Sequence, residues 1–111
     1  MEQTVRVRAE LILTNLAEKF RNSNPGLVSE CRFARYDTHY SLIFKLRKYN
    51  ITTTIKLNLD FTLKGVYSFI PVESGHLVKN HQDAKNRLNT RFQSYAEAIA
   101  LPALRKIGVA A

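Results

Sequence analysis

The sequence predicts a two-layer α+β sandwich with the element order α-β-β-β-β-α, in which both helices lie on one face of an antiparallel four-stranded sheet. Apolar residues recur every three or four positions near both ends of the chain, which is typical of helices packed on one side. Between them, over 27–70, apolar and polar residues alternate and the connections have hairpin length, as in half-buried antiparallel strands. With 111 residues the chain can bury one core but not two, so we expect a single domain over 1–111.

The first helix is predicted at about 4–22. Its apolar residues lie on one helical face and are Val5, Ala9, Ile12, Leu16 and Phe20. The segment RNSNPG ends the helix, because the residue before a proline disfavours the helical conformation.

Four strands are predicted over about 27–70, in the segments LVSECRFARY, YSLIFKLR, ITTTIKLNLD and TLKGVYSFI. DTH and KYN provide turns, whereas the turn before the fourth strand has no Asn-Gly or Asp-Gly pair. The alternation predicts an inner, helix-facing set consisting of Cys31, Phe33, Tyr40, Leu42, Phe44, Leu46, Ile51, Ile55, Leu57 and Leu59. The outer set consists of Arg32, Tyr36, Ile43, Lys45, Arg47, Tyr49, Thr52, Thr54, Lys56 and Asn58.

The second helix is predicted at about 81–101. Asn80 can accept hydrogen bonds from the free backbone N–H groups at the start of this helix, and the negative charge of Asp83 complements the positive end of the helix dipole. Its apolar residues are Ala84, Leu88, Phe92, Tyr95 and Ile99. Pro102 ends or kinks this helix, and it can also stand in the first turn of a new one. Residues 102–111 then form a short amphipathic tail, which is a candidate contact for a homodimer.

The charge of the chain favours an acidic partner. Seventeen Lys and Arg against nine Asp and Glu give a net charge of +8. The segment 27–70 contains seven basic and three acidic residues, which gives it +4. The composition, 45% hydrophobic and 23% charged, is that of an ordinary globular domain, so we expect a folded chain and not a disordered one.

The outer face of the sheet is therefore a candidate site for nucleic acid, either RNA or DNA. Lys and Arg neutralise phosphates, and Tyr rings stack on unpaired bases. The candidate phosphate contacts are Arg32, Lys45, Arg47, Lys56 and Lys64, and the candidate stacking residues are Tyr36 and Tyr49. On the second helix, Arg87 and Arg91 are four residues apart and share a face that can extend the basic surface.

Two other interpretations of the outer face remain open. An ordinary solvated sheet also carries Thr and Lys, because Thr favours strands and Lys discourages edge-to-edge pairing. A protein–protein interaction module, such as an adaptor, chaperone or inhibitor, would use the same face or an edge of the sheet. The segment NHQDAKNR lacks the Lys-rich Gly/Ser motif that opens the second helix of the double-stranded RNA-binding domain, so we assign no family.

We expect a protein without catalytic activity, metal or cofactor. Cys31 is the only cysteine, which excludes an intramolecular disulfide and a cysteine-based metal site. A third hypothesis is a metal-independent ribonuclease, although no spacing of residues requires it. Its candidate residues are His39, His76, His81, Lys79, Lys85, Tyr40 and Arg87. The start MEQTVRVRAEL has no signal-peptide core and no apolar run reaches about 18 residues, so we expect a cytoplasmic protein without a membrane partner.

Overall fold

The computed structural model describes residues 3–47, 50–70 and 81–106, and it has the predicted element order. Helix α1 is followed by four strands, and the strands by helix α2, a π-helical turn and helix α3. Their bounds are α1 Gln3–Ser23, β1 Val28–Arg35, β2 Tyr40–Leu46, β3 Thr52–Leu57, β4 Leu63–Phe69, α2 His81–Tyr95, π-helical turn Ala96–Ala100 and α3 Leu101–Lys106. Asn80, predicted to lie directly before the second helix, is outside the described residues.

The four strands form an antiparallel meander in the order β1-β2-β3-β4. Leu42 on β2 lies opposite Phe33 on β1 and Ile55 on β3, so these three side chains share one face of the sheet. The hairpin between β2 and β3 returns through Asn50, whose positive φ of 55° Asn tolerates better than most residues. The prediction of an antiparallel four-stranded sheet is confirmed.

Both long helices cover the same face of this sheet. The ring centroid of Phe44, on β2, lies 5.6 Å from that of Phe20 on α1 and 5.0 Å from that of Phe92 on α2. Phe44 and Phe92 are completely buried, so the three rings form the centre of the core. The helices of the described chain leave the opposite face of the sheet open, as the sequence predicts.

The predicted inner set is buried or half-buried with one exception. Leu59 was expected to continue the core of β3, but half of its side chain is exposed, at 50%. The strand ends at Leu57, and the chain turns at once: the Phe61 N–H donates to the Asn58 carbonyl at 2.9 Å, and Phe61 has a positive φ of 64°. Phe61 fills the core instead, fully buried and stacked on Tyr40 with ring centroids 4.5 Å apart.

The C-terminal helical segments follow one another without a break, and Pro102 lies in the first turn of α3. The Leu101 N–H donates to the Ala96 carbonyl five residues earlier, which is the π-helical pattern. A helical proline clashes with the carbonyl four residues before it, here that of Ala98, and the wider turn provides the space. Leu101 and Leu104 are buried in the chain's own core, so these two side chains are not available to a second subunit. The rest of the predicted tail, 107–111, lies outside the described residues.

Candidate nucleic-acid interface

The strand register defines which side chains share the face that the helices leave uncovered. Three rows of four residues cross the sheet, and we call these twelve residues the open face. They are Glu30, Lys45, Thr52 and Phe69; Arg32, Ile43, Thr54 and Tyr67; and Ala34, Ser41, Lys56 and Gly65. Neighbouring strands are about 4.8 Å apart, and successive rows are about 7 Å apart along a strand.

Three of the predicted phosphate contacts lie together on the open face. Arg32 and Lys45 are exposed on β1 and β2, and Lys56 is half-buried on β3. Glu30 is the one acidic member of the open face, which leaves it with a net positive charge. Arg35 belongs to the helix-covered side, where its guanidinium lies 3.2 Å from the carboxylate of Glu10 on α1.

Two further predicted phosphate contacts lie at the margins of the open face. Arg47 follows the last residue of β2, and its Nε–H donates to the Pro25 carbonyl in the loop between α1 and β1. Lys64 is an extra residue in β4: Leu57 lies opposite Leu63 and Lys56 opposite Gly65, which leaves Lys64 bulged between them. Arg47 therefore stabilises a turn, whereas the exposed Lys64 adds charge beside Lys56.

The arginines of α2 belong to the other layer of the sandwich. Arg87 and Arg91 are exposed on α2, and an Nη of Arg91 donates to Oδ1 of Asn24 at 3.3 Å. Asn24 lies in the loop that also accepts the hydrogen bond from Arg47. The structure therefore does not bring Arg87 and Arg91 onto the open face.

The predicted stacking residue Tyr36 lies at the end of the hairpin between β1 and β2. Its ring stacks on that of His39, with centroids 4.9 Å apart, and it is partly exposed. Desolvation and the positive charges of Lys56 and Lys64 lower the pKa of His39, so its neutral form is favoured at this end of the sheet. The second predicted stacking residue, Tyr49, lies outside the described residues.

Sequence reasoning did not find two exposed aromatic residues on β4. Tyr67 is 52% exposed and Phe69 is 66% exposed, and both belong to the open face. The Lys56 ammonium lies 5.0 Å from the centre of the Tyr67 ring, within the range of a cation–π contact. Side chains alternate between the two faces along VYSFI, which could have indicated these residues. However, each of the two alternating sets contains apolar residues, so the pattern does not show which set faces the helices.

Residues 3–47, 50–70 and 81–106 contain no group of three His, Cys, Asp or Glu side chains able to hold a metal ion. In the same ranges no helix is long and apolar enough to cross a membrane. Of the residues considered for a ribonuclease, Tyr40 is buried in the core, and His76 and Lys79 lie outside the described residues.

The thiol of Cys31 lies on the helix-covered side, where burial raises its pKa and so favours the protonated thiol. Comparison with models of protein families, with curated proteins and with solved structures gave no match to this chain.

Proposed function

We propose that the protein is a small cytoplasmic binding module that holds nucleic acid on the open face of its sheet and performs no catalysis. The observation that carries this proposal is the clustering of Arg32, Lys45 and Lys56 on a sheet face that the described helices leave uncovered. Lys64 adds a fourth positive charge at the margin. A face of this kind attracts phosphates by charge, because each Lys or Arg contact releases a condensed counterion.

The chemistry of the remaining open-face residues supports the proposal. The hydroxyls of Thr52 and Thr54 can donate to phosphate oxygens, as hydroxyl side chains commonly do in nucleic-acid complexes. The exposed rings of Tyr67 and Phe69 lie on the same face as the cations. A charged surface that served only solubility would not require such rings. Basic groups and aromatic rings together are the two components of a surface that binds nucleic acid without reading a groove.

The test is a pair of double charge reversals with equal effect on net charge. Arg32→Glu with Lys45→Glu changes two exposed side chains of the open face, and Lys19→Glu with Lys106→Glu changes two exposed side chains of the helical layer. Binding of fluorescent RNA and DNA is measured by anisotropy at several salt concentrations. We expect only the first pair to abolish or strongly weaken binding. It should also flatten the salt dependence, by about 0.7 in slope per lost phosphate contact for a single strand and about 0.9 for duplex DNA.

Arg47 is left out of this test, because its reversal would also remove the hydrogen bond to Pro25 and perturb the turn. Equal loss of affinity in both double variants would mean that overall charge, and not the open face, governs binding. Absence of salt-sensitive binding by the native protein would overturn the proposal.

The second candidate function is a protein–protein interaction module, and one observation favours it. Strand β4 is an edge strand with exposed Tyr67 and Phe69, and edge strands of this kind accept an added strand from a peptide or protein. A partner bound in this way would be retained by the variant with Arg32→Glu and Lys45→Glu, since neither residue lies on β4. Retained partner binding together with no nucleic-acid affinity would support this second candidate.

A further inference from the structure

Two exposed aromatic residues stand side by side in the open face. Tyr67 and Phe69 are separated by one residue on β4, so their Cα atoms are about 7 Å apart and their side chains leave the sheet on the same side. A buried role is excluded for both by their exposure of 52% and 66%. The two rings therefore offer neighbouring apolar surfaces beside the cations of the open face.

The ring of Tyr67 is held against the sheet. A Cβ atom added to Gly65 would lie 2.7 to 2.9 Å from the hydroxyl oxygen and two carbons of this ring, so the ring folds back over the glycine. Lys56, directly opposite Gly65, places its ammonium 5.0 Å from the ring centre. The absence of a side chain at Gly65 thus allows the Tyr67 ring to lie against the sheet, with the Lys56 ammonium over the ring.

A bulge in β4 is what puts these rings on the open face. Leu63 lies opposite Leu57 and packs against the core, so uninterrupted alternation would also turn residues 65, 67 and 69 towards the helices. The extra residue Lys64 reverses the alternation after Leu63. Val66 and Ser68 then face the core instead.

From this arrangement we infer that the open face takes single-stranded nucleic acid, with unpaired bases stacked on Phe69 and Tyr67 and the backbone held by Arg32, Lys45 and Lys56. This inference rests on the proposed function and adds the class of ligand. Every nucleobase has a π-face, so stacking on an aromatic ring tolerates any sequence. In a duplex the faces of internal bases are already stacked on one another, so a duplex would gain only the phosphate contacts.

The deciding variant is Phe69→Ala, because Phe69 is the more exposed ring. Its affinity is measured by anisotropy for four probes: a short single-stranded RNA, a DNA of the same sequence, and the duplex form of each. Inorganic polyphosphate serves in addition as a competitor without bases. We expect a fall of roughly 5- to 150-fold for both single strands, which corresponds to one lost base–aromatic stack. Binding of duplexes and of polyphosphate should not change.

Two controls accompany this variant. Phe69→Trp keeps an aromatic surface and should retain the native affinity for single strands. Leu11→Ala removes a similarly exposed apolar side chain from α1, on the helical layer, and should have no effect.

The outcomes separate this inference from the proposed function. If Arg32→Glu with Lys45→Glu abolishes binding but Phe69→Ala does not weaken single-strand binding, the basic face binds nucleic acid and the stacking inference is wrong. Equal affinity of the native protein for a duplex and a single strand would also overturn the inference. If no probe binds in a salt-sensitive way, both proposals are wrong.

Discussion

The hydroxyl groups of Thr53 and Ser68 lie 2.9 Å apart between β3 and β4, inside the helix-covered core. The Ser68 hydroxyl also donates to Oδ1 of Asn89 on α2 at 2.8 Å. Because a serine hydroxyl has a single proton, Thr53 must be the donor to Ser68. This chain of two hydrogen bonds joins both strands to the helix, in the register that places Tyr67 on the open face.

We expect Ser68→Ala to destabilise the protein more than Thr53→Val. Loss of the Ser68 oxygen leaves the completely buried Thr53 hydroxyl without its acceptor, at a cost of roughly 1–3 kcal/mol. Thr53→Val keeps the shape and the bond to Asn89, and should cost about 1 kcal/mol. Urea unfolding measures both, with Thr54→Val on the open face as a control expected within about 0.5 kcal/mol of the native protein.

The double variant with Thr53→Val and Ser68→Ala should be more stable than Ser68→Ala alone, because no buried donor is then left unpaired. If the double variant loses the sum of the two single effects, the buried pair does not act as described.

Phe61 and Leu59 should differ strongly in their contributions to stability, in the reverse of what the alternation predicts. Phe61→Ala removes a fully buried ring stacked on Tyr40 and should cost about 3–5 kcal/mol. Leu59→Ala changes a half-exposed side chain in the turn and should cost less than about 1 kcal/mol. Urea unfolding decides between them, and equal losses would mean that Leu59 belongs to the core after all.

The turn between β3 and β4 should weaken in acid. Hydrogen bonds from the Thr62 hydroxyl and from its backbone N–H to Oδ1 of Asp60 lower the pKa of this carboxyl below its ordinary 3.8. Because the pKa of Asp60 is lowered in the folded protein, its contribution to the free energy of unfolding is complete at pH values above the ordinary pKa of 3.8. This contribution disappears as the pH falls through the pKa of the folded protein. Asp60→Asn should therefore lower the free energy of unfolding at neutral pH, by an amount that vanishes in acid.

Asp37→Asn, in the turn between β1 and β2, is the matched control for Asp60→Asn, since both carboxylates are exposed. A difference between the native protein and Asp60→Asn that is constant from neutral pH to acid would show that the charge of Asp60 does not contribute.

Binding of nucleic acid should raise the pKa of His39. In the free protein desolvation and the charges of Lys56 and Lys64 hold this pKa below 6.5, and phosphates bound to these lysines would remove part of the repulsion. Binding then takes up a proton, so affinity should rise as the pH falls through the interval between the free and the bound pKa. NMR titration of the histidine ring protons, with and without a single-stranded oligonucleotide, measures the shift.

His39→Gln identifies the resonance and should remove the rise in affinity at low pH. The same substitutions at His76 and His81, the other two histidines, should preserve it. A His39 pKa that stays constant or falls on binding would place the phosphates away from Lys56 and Lys64.

The sequence could predict much of the fold, because the relevant patterns are local. The alternation of Leu42, Phe44 and Leu46 identified the buried side of β2 correctly, and the helical stripe correctly placed Phe20 at the core. The candidate site was only partly predictable. Arg32, Lys45 and Lys56 share a face because all three follow regular alternation, whereas Arg47 lies past the end of its strand and contacts Pro25.

The sequence by itself determined the order of the elements, the inner residues of the central strands and the excess of positive charge in the sheet. These properties depend on residue type and on the period of a helix or a strand. Only the tertiary structure decided that Phe61 replaces Leu59 in the core and that the bulge at Lys64 turns Tyr67 and Phe69 outwards. The physical reason is that one extra residue reverses every later side chain of a strand, and its position is set by cross-strand hydrogen bonds and packing, which a local pattern does not contain.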